Sequence, residues 1–349
     1  MLINFKSRVN NMFYFKTHFW SVFFSLTILA IILYSGTGCK PSQKQTGPPE
    51  KVTIAYSTAF NAALVHIAFA KGYFKEEGLE ATPQPHAYGK AALQAVIEGK
   101  ADLATVADTP IMFAIMDGKK IAIVATIQTS NKDNAVVARK DRGIIKPSDL
   151  NGKTIAMTAG TNSDFFTEIF LLAYGIDKKR VTIVSLKPDE LVSALSAGKV
   201  DAATSWNPVV IQMQKALGNK GCTFYGEKLY TETFCLTTKQ DFTKSHPEKI
   251  KKVLRAITRA ETFALRHPKD ARRLVAEFSK SDQVLLDSLW DIYTFKVTLD
   301  QALLVDLEDQ ARWAMKYRMT TLRDMPNYLD YIYVDGLKAV EPEAVRIIR

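Results

Sequence analysis

The loop from Gly160 to Asp164 brings together the residue types that bind anions in proteins. Its sequence, Gly-Thr-Asn-Ser-Asp, runs directly into two phenylalanines at the start of a predicted helix. Backbone N–H groups of a first helical turn, hydroxyl groups and the positive end of the helix dipole therefore meet at one point. The same residues could simply cap the helix through Asn162 or Ser163. A second loop of similar character, Ser57–Asn61, favours the anion site.

Aromatic and acidic side chains at other predicted strand ends could bind the rest of a small solute. Trp206 follows a strand in a Ser-Trp-Asn-Pro turn, where it could stack on a ligand or pack against a hinge. Asp108, Asp164 and Glu232 could match an amine on the ligand, cap a helix or face water. The complete predicted ligand-binding set is Ser57, Thr58, Phe60, Asn61, Tyr88, Gly89, Asp108, Thr109, Gly160, Thr161, Asn162, Ser163, Asp164, Trp206 and Glu232.

No arrangement typical of an active site or a metal site occurs in the sequence. The five histidines show no HExxH or similar ligand spacing, and GxSxG, Walker and GxGxxG patterns are absent. Cys222 and Cys235 have no CxxC partner or nearby histidine and could form a disulfide or stay as thiols. The basic residues that give the formal net charge of +10 are scattered along the sequence, and no motif that binds in a groove of DNA or RNA is present. We therefore predict no catalytic residue, metal, cofactor or nucleic-acid partner.

An internal repeat predicts the elements that position these loops. The pattern Gly-Lys-x-Asp-x-Ala-Thr occurs at 99–105 and again at 198–204. Upstream, each copy has Thr-Ile-Ala followed by an asparagine at the same offset, Asn61 or Asn162. Each copy has the pattern of strand, helix, strand, helix and strand. A segment of this length is the right size for one α/β lobe. We expect two lobes of one topology, with a ligand cleft where their strand ends and helix starts converge.

The first 50 residues have the composition of a secretory leader and a tether. Basic residues precede an apolar run at 19–34, small residues precede Cys39, and a polar stretch rich in Pro and Gly follows at 40–50. We predict a signal peptide over 1–38, a diacylated Cys39 and a linker over 39–50. The protein would then be exported and held on a membrane by lipid, facing the periplasm or the cell exterior. An uncleaved anchor is the alternative.

Several segments together match one known family. They are the opening strand with Ser57–Asn61, AKGYFKEEGL at 70–79, GKAD at 99–102, KPSDLNGK at 146–153, Asp201-Ala202 with Trp206-Asn207-Pro208, and His246-Pro247-Glu248. Through them, residues from about 51 to 320 resemble the NMT1/THI5-like group. These are substrate-binding proteins of ABC importers for nitrate, sulfonate, taurine and thiamine precursors. The family's ligand loops fall on members of the set above: 57–61, 88–89, 108–109, 160–164 and Trp206.

The resemblance implies the fold and the role of the chain. The fold is the α/β type II periplasmic-binding-protein fold, with two α/β lobes, a two-stranded hinge and a helical C-terminal region. We expect lobe 1 to comprise 51–138 and 237–349, and lobe 2 to comprise 139–236. The implied role is a monomeric binding protein, not an enzyme. It closes on a small solute and delivers it directly to the permease of an importer driven by an ATPase subunit.

The class of solute stays open at the level of sequence. The resemblance implies a sulfonate-, taurine- or nitrate-like solute, but Asp108 and Asp164 are unusual for a pure anion site. An aminosulfonate or a neutral heterocycle, such as a pyrimidine-type thiamine precursor, is therefore an alternative. A same-fold cytoplasmic biosynthetic enzyme is a second alternative, which the leader argues against. A sensor that does not take part in transport is a third.

Overall fold

Two mixed β-sheets organise residues 48–348, the part of the chain that this computed structural model describes. The predicted signal peptide, Cys39 and most of the predicted linker lie outside these residues. The strands are β1 (Glu50–Ser57), β2 (Leu79–His86), β3 (Leu103–Ala107), β4 (Ile121–Ser130), β5 (Asn134–Arg139), β6 (Thr154–Met157), β7 (Thr182–Ser185), β8 (Ala202–Trp206), β9 (Gly221–Tyr225), β10 (Glu232–Lys239), β11 (Thr294–Asp300) and β12 (Val345–Arg346).

The α-helices cover both sheets, and short 3-10 turns join them, one of them at Phe60–Ala62. The α-helices are α1 (Ala63–Ala70), α2 (Tyr73–Glu76), α3 (Gly89–Ile97), α4 (Asp108–Met116), α5 (Asn162–Ala173), α6 (Pro188–Ser196), α7 (Val209–Leu217), α8 (Gln240–Ser245), α9 (Pro247–Arg266), α10 (Pro268–Ser279), α11 (Gln283–Leu289), α12 (Gln301–Lys316) and α13 (Val334–Val340). Within residues 48–348, none of them has the length and apolar character needed to cross a membrane.

The chain crosses between the two sheets twice. The seven-stranded sheet has the order β12-β11-β4-β10-β3-β1-β2, and the five-stranded sheet has the order β7-β6-β8-β5-β9. β5 lies antiparallel between β8 and β9, and β10 lies antiparallel between β3 and β4. Both sheets therefore share one core order, which confirms the predicted two-lobe α/β fold with two hinge connections. Below, lobe 1 is the seven-stranded sheet with its helices, and lobe 2 is the five-stranded sheet with its helices. The residue limits expected for each lobe stay a prediction.

The C-terminal region packs on lobe 1. α9 contacts α1, and α12 contacts α4. One face of α9 is buried and apolar, and it includes Ile250, Val253, Leu254 and Ile257. Sequence analysis missed β11, which pairs antiparallel with β4 at Thr294, Phe295 and Thr298. Its buried residues do not alternate strictly, since Thr298 lies buried between Val297 and Leu299, so their period does not indicate a strand.

The aspartates of the repeated heptapeptide join the same two strands in each lobe. In lobe 1, Thr53 N donates to Asp102 Oδ2 over 2.7 Å, and Asp102 N donates back to the Thr53 carbonyl over 2.9 Å. In lobe 2, Thr154 N donates to Asp201 Oδ2 over 2.9 Å, with the same reciprocal bond from Asp201 N over 2.9 Å. The repeat is therefore a structural device that sets the register of each central strand pair.

We expect Asp102→Ala and Asp201→Ala each to lower the free energy of unfolding by about 1–2 kcal/mol, because each leaves a strand N–H without its acceptor. Urea unfolding followed by circular dichroism would measure both losses. The Asp→Asn variants keep an acceptor and should lose less. Equal losses in the Ala and Asn variants would contradict this role.

Candidate functional site

A small cavity lies between the lobes, at the carboxyl ends of the central strands. Its volume is about 10 Å³. Residues from both lobes line it: Ser57, Asn61, Tyr88, Gly89, Lys90, Ala107, Pro110, Thr161, Asn162, Trp206 and Phe234. Seven of them belong to the set predicted from sequence, namely Ser57, Asn61, Tyr88, Gly89, Thr161, Asn162 and Trp206. The cleft therefore lies where the strand ends of the repeat indicate.

Three helices begin at this cavity. α3 begins at Gly89, α4 at Asp108 and α5 at Asn162, so that both lobes contribute. The first-turn N–H groups of a helix have no partner within the helix, and its dipole places partial positive charge there. Gly89 allows the close approach of α3, because a Cβ at this position would lie 2.8 Å from Val106 Cα. The arrangement suits an anionic or strongly polar oxygen.

Two aromatic rings from opposite lobes lie beside each other at the cleft, tilted relative to one another. Tyr88 belongs to lobe 1 and Trp206 to lobe 2, and their ring centroids are 6.4 Å apart with an angle of 42° between the planes. Trp206 is buried, whereas Tyr88 is half-buried. Phe60, the third predicted aromatic residue, is 1% exposed and belongs to the core of lobe 1. Of these three rings, Tyr88 and Trp206 line the cavity.

The other residues of the predicted set lie around the cavity without lining it. Thr58 is half-buried, and Thr109 is buried in the first turn of α4. Ser163 Oγ accepts a hydrogen bond from Thr158 N over 3.1 Å. Asp164 Oδ2 accepts one from Gly160 N over 2.9 Å, which keeps the loop before α5 closed. Ser163 and Asp164 therefore shape the α5 loop.

Sequence analysis missed Lys90, the one cationic side chain that lines the cavity among the described residues. Its Nζ donates to the carbonyl of Ala159 over 2.9 Å, so it joins the start of α3 in lobe 1 to the α5 loop in lobe 2. Burial lowers its pKa, and Asp164 counteracts this. The available signal was its position directly after Tyr88-Gly89, which the sequence had already placed in the cleft.

Asp108 is a buried structural carboxyl beneath the cleft. Its Oδ1 accepts from Tyr230 Oη over 2.5 Å and from Thr109 N over 2.8 Å, and its Oδ2 accepts from Thr233 N over 3.4 Å. Burial raises the pKa of Asp108 to about 6, although these hydrogen bonds act in the opposite direction. The carboxyl thus holds the start of α4 to the hinge segment before β10.

Glu232 and Asp133 form a second buried acidic group, on the two hinge connections. Both side chains are 0% exposed. Asn134 Nδ2 donates to Glu232 Oε2 over 2.9 Å, and Asn162 Nδ2 donates to the same oxygen. Tyr293 Oη donates to Asp133 Oδ1 over 2.7 Å. Burial, and then the charge of Asp133, raise the pKa of Glu232 well above its usual value, and burial raises that of Asp133 to about 6.

We expect each of these raised pKa values to lower folding stability as the pH rises, while the buried His66, whose pKa burial lowers to about 4, acts in the opposite direction. The folded protein holds protons on Asp108 and Asp133 between the unfolded pKa near 4 and the folded pKa of about 6. Within this window each group lowers stability by up to about 1.4 kcal/mol per pH unit. Urea unfolding at about pH 5 and about pH 7.5 should show that Asp133→Asn gains stability relative to the wild type at the lower pH less than at the higher pH. The same pH dependence in both proteins would contradict the assignment.

Cys222 and Cys235 are both free thiols, the first half-buried and the second buried. Burial raises the pKa of both thiols, so neither is an activated nucleophile. Within the described part of the chain, no group of three or more His, Cys, Asp or Glu side chains could hold a metal ion.

Comparison with known proteins gives a consistent family and fold. A family model described as NMT1/THI5 like matches residues 59–271. The taurine-binding periplasmic protein of Escherichia coli (strain K12) is 25% identical over 222 residues, which are 62% of this chain and 67% of that protein.

Two solved structures extend the comparison of the fold. The alkanesulfonate-binding protein SsuA from Xanthomonas axonopodis pv. citri, bound to MOPS, has a TM-score of 0.73 and 18% identity, covering 82% of this chain and 99% of that chain. The periplasmic nitrate-binding protein NrtA from Synechocystis PCC 6803 has a TM-score of 0.66 and 14% identity, covering 84% and 89%. At these identities the two structures show a shared two-lobe fold.

Proposed function

Since this chain belongs to the NMT1/THI5-like family, we propose that it is the solute-binding component of an ABC importer. It captures a small sulfonate-, taurine- or nitrate-like solute between its lobes. The single observation that carries this proposal is the convergence of three helix starts, from both lobes, with Lys90 on one cavity. Such an arrangement stabilises an anionic oxygen without requiring any chemical step.

Lobe closure is the proposed mechanism of capture. Ligand contacts made by both lobes at once favour the closed arrangement over an open one. The bond from Lys90 to the Ala159 carbonyl crosses the cleft and adds to that closure. The closed form is the one that the permease would accept directly, with the ATPase subunit driving transport.

Calorimetric titration of the full chain, kept in mild detergent, tests this function. The panel is propanesulfonate, taurine, nitrate and an aminopyrimidine. Saturable binding of at least one of the first three supports the proposal. Absence of binding by all four would overturn the ligand class.

A second candidate solute, a pyrimidine-type thiamine precursor, is favoured by the Tyr88 and Trp206 rings. Both rings line the cleft, and either one can stack on a flat heterocycle, because ring stacking needs no charge on the ligand. In the panel above, binding of the aminopyrimidine alone would select this candidate.

The lipid anchor is a separate part of the proposal. Acylation of Cys39 would hold the binding domain on the membrane beside its permease, through a linker over 39–50. Mass spectrometry of the protein purified from membranes should find a diacylated cysteine at the N-terminus. An intact Met1, or a free Cys39, would contradict the anchor.

Gly160 and Gly175 offer a matched test of the α5 loop. Both have a left-handed backbone, with φ of +65° and +66°. A Cβ at Gly160 would lie 2.6 Å from Lys90 Nζ, whereas a Cβ at Gly175 would meet nothing within 4 Å.

We therefore expect Gly160→Ala and Gly175→Ala to lose similar stability, about 1 kcal/mol each, from the strained backbone. Only Gly160→Ala should also bind propanesulfonate about tenfold more weakly, since it displaces the charged Lys90 Nζ. Calorimetry and urea unfolding would measure both effects. Equal affinity in the two variants would show that Lys90 can move without loss.

A further inference from the structure

A second cavity, here called the hinge cavity, lies beside the second hinge connection. Its volume is about 230 Å³. Phe165 of lobe 2 lines it, together with Tyr230 of the hinge connection and with Asp306 and Gln310 of α12. None of its lining residues lines the cavity of the cleft. A ligand in the hinge cavity would therefore contact both lobes without occupying the proposed solute site.

Three acids and one lysine line the hinge cavity, and two of the acids already have cationic partners. Glu227 Oε2 lies 3.6 Å from Lys132 Nζ, and Asp309 pairs with Arg312. The third acid, Asp306, forms no ion pair within residues 48–348. Its carboxyl is therefore the acid of this cavity that can pair with a cationic ligand.

Asp306 lies among other acids. Burial, and then the charges of Asp108 and Asp309, raise the pKa of Asp306 to about 7, and a hydrogen bond from Thr233 acts in the opposite direction. Lys228, the lysine that lines the cavity, is exposed. A cation bound beside Asp306 would stabilise the charged form of this carboxyl, because opposite charges at close range favour ionisation.

Gln310 indicates independently that a hydrogen-bond donor belongs in this cavity. Its side chain is 1% exposed and lines the cavity. Its amide lies close enough to Asp108 to lower the pKa of that carboxyl. Its Oε1, however, has no hydrogen-bond partner among the described residues. Native proteins rarely leave a buried acceptor without a donor, so a ligand that carries an N–H group would complete this site.

Two aromatic rings supply the apolar part of the cavity. Phe165 and Tyr230 both line it, and their ring centroids lie 5.4 Å apart with 80° between the ring planes. Aromatic rings attract cations and pack well against short carbon chains. The cavity therefore combines a carboxyl, a buried amide oxygen and two rings, which together suit an organic ammonium ion.

We propose that the hinge cavity binds a short primary alkylammonium ion, whose N–H groups donate to Asp306 and to Gln310 Oε1. The carbon chain of the ion lies beside Phe165 and Tyr230. The bond to the Asp306 carboxylate is charge-assisted, and the bond to Gln310 gives a buried oxygen the donor that it lacks. Because this site shares no lining residue with the cleft, the proposal is independent of the solute class.

Three matched ligands test the proposal on the wild-type protein. The full chain in mild detergent, at about pH 8 so that Asp306 is ionised, is titrated by ligand-observed NMR. Propylammonium has both the charge and the N–H donors, tetramethylammonium has the charge without a donor, and 1-propanol has a donor without the charge. We expect propylammonium to bind about 10- to 150-fold more tightly than either of the others, the range of a hydrogen bond to a charged group.

Two variants of α12 locate the binding. Asp306→Asn keeps an acceptor for Thr233 but loses the charge, and it should bind propylammonium at least about tenfold more weakly. Glu308→Gln is the matched control, because Glu308 lies on the same helix and pairs with Arg312 but does not line the cavity. It should keep the wild-type affinity.

The comparison of the three ligands needs no variant, so it tests the proposal even if Asp306→Asn fails to fold. Propylammonium that binds no more tightly than tetramethylammonium or 1-propanol would overturn the inference. An unchanged affinity in a folded Asp306→Asn would overturn it as well, since the ion would then bind elsewhere. Both results leave the proposed function in the cleft standing, because that function is tested with propanesulfonate, taurine and nitrate.

Discussion

Replacing Asp108 with alanine is expected to lower the free energy of unfolding by about 3–5 kcal/mol, because it removes one acceptor from several buried donors. Tyr230 Oη, Thr109 N and Thr233 N all donate to this carboxyl. Tyr230 is 8% exposed and Thr109 0%, so water cannot replace the lost acceptor easily. Removing a buried carboxyl recovers part of its desolvation cost, which keeps the expected loss below the sum of three bonds.

Urea unfolding at neutral pH, followed by circular dichroism, measures this loss. Asp108→Asn keeps an acceptor for Tyr230 and Thr109 and should lose clearly less than Asp108→Ala. Asp117→Ala is the second control, because Asp117 is exposed at the far end of the same helix. A loss in Asp108→Ala no greater than in Asp117→Ala would show that the buried donors find other partners.

Asp108 also shows how far the sequence predicts the site. Its place at a strand end was predictable, since Asp108 closely follows the repeated heptapeptide at 99–105 and precedes Pro110, a residue type favoured in the first turn of a helix. Whether its carboxyl faces the solute or the protein depends on Tyr230 and Thr233, which come more than 100 residues later in the chain. No local pattern carries that information, because long-range contacts decide it.

The internal repeat made the largest part of the fold predictable. The heptapeptide, with Asp102 and Asp201, marks the same strand pairing in both halves, and Asn61 and Asn162 mark the same helix start. A repeat predicts the order of strands and helices in each lobe well, because each copy must bury its own sheet with the same set of contacts. The cleft between the copies follows from that topology.

The residues that sequence analysis missed have contacts that a comparison of the two repeat copies does not predict. Asp133 lies in the first hinge connection, which connects the lobes and belongs to neither copy. Lys90 looks like an ordinary surface lysine near the start of a helix, and only its bond to Ala159 in the other lobe reveals its place. The role of both residues depends on contacts between the lobes. The sequence of one lobe alone does not predict such contacts.

Lys90→Met is expected to weaken the binding of propanesulfonate by about 10- to 100-fold, since it removes a charged donor from the cavity. Methionine keeps most of the apolar stem, so the packing at the start of α3 changes little. Lys100→Met is the matched control, because Lys100 follows the same helix and its side chain is 69% exposed beside Glu98. Calorimetric titration of the three proteins measures the affinities.

The dependence on salt separates the two contributions that hold the anion. If Lys90 pairs with the solute, added salt weakens binding to the wild type and to Lys100→Met more than to Lys90→Met, because salt screens a charge pair near the surface. The helix starts persist in all three proteins, and their N–H groups act at short range with little screening. An unchanged affinity in Lys90→Met would assign the anion to the helix starts alone and leave Lys90 with lobe closure through Ala159. The two roles of this lysine are therefore distinguishable in one set of titrations.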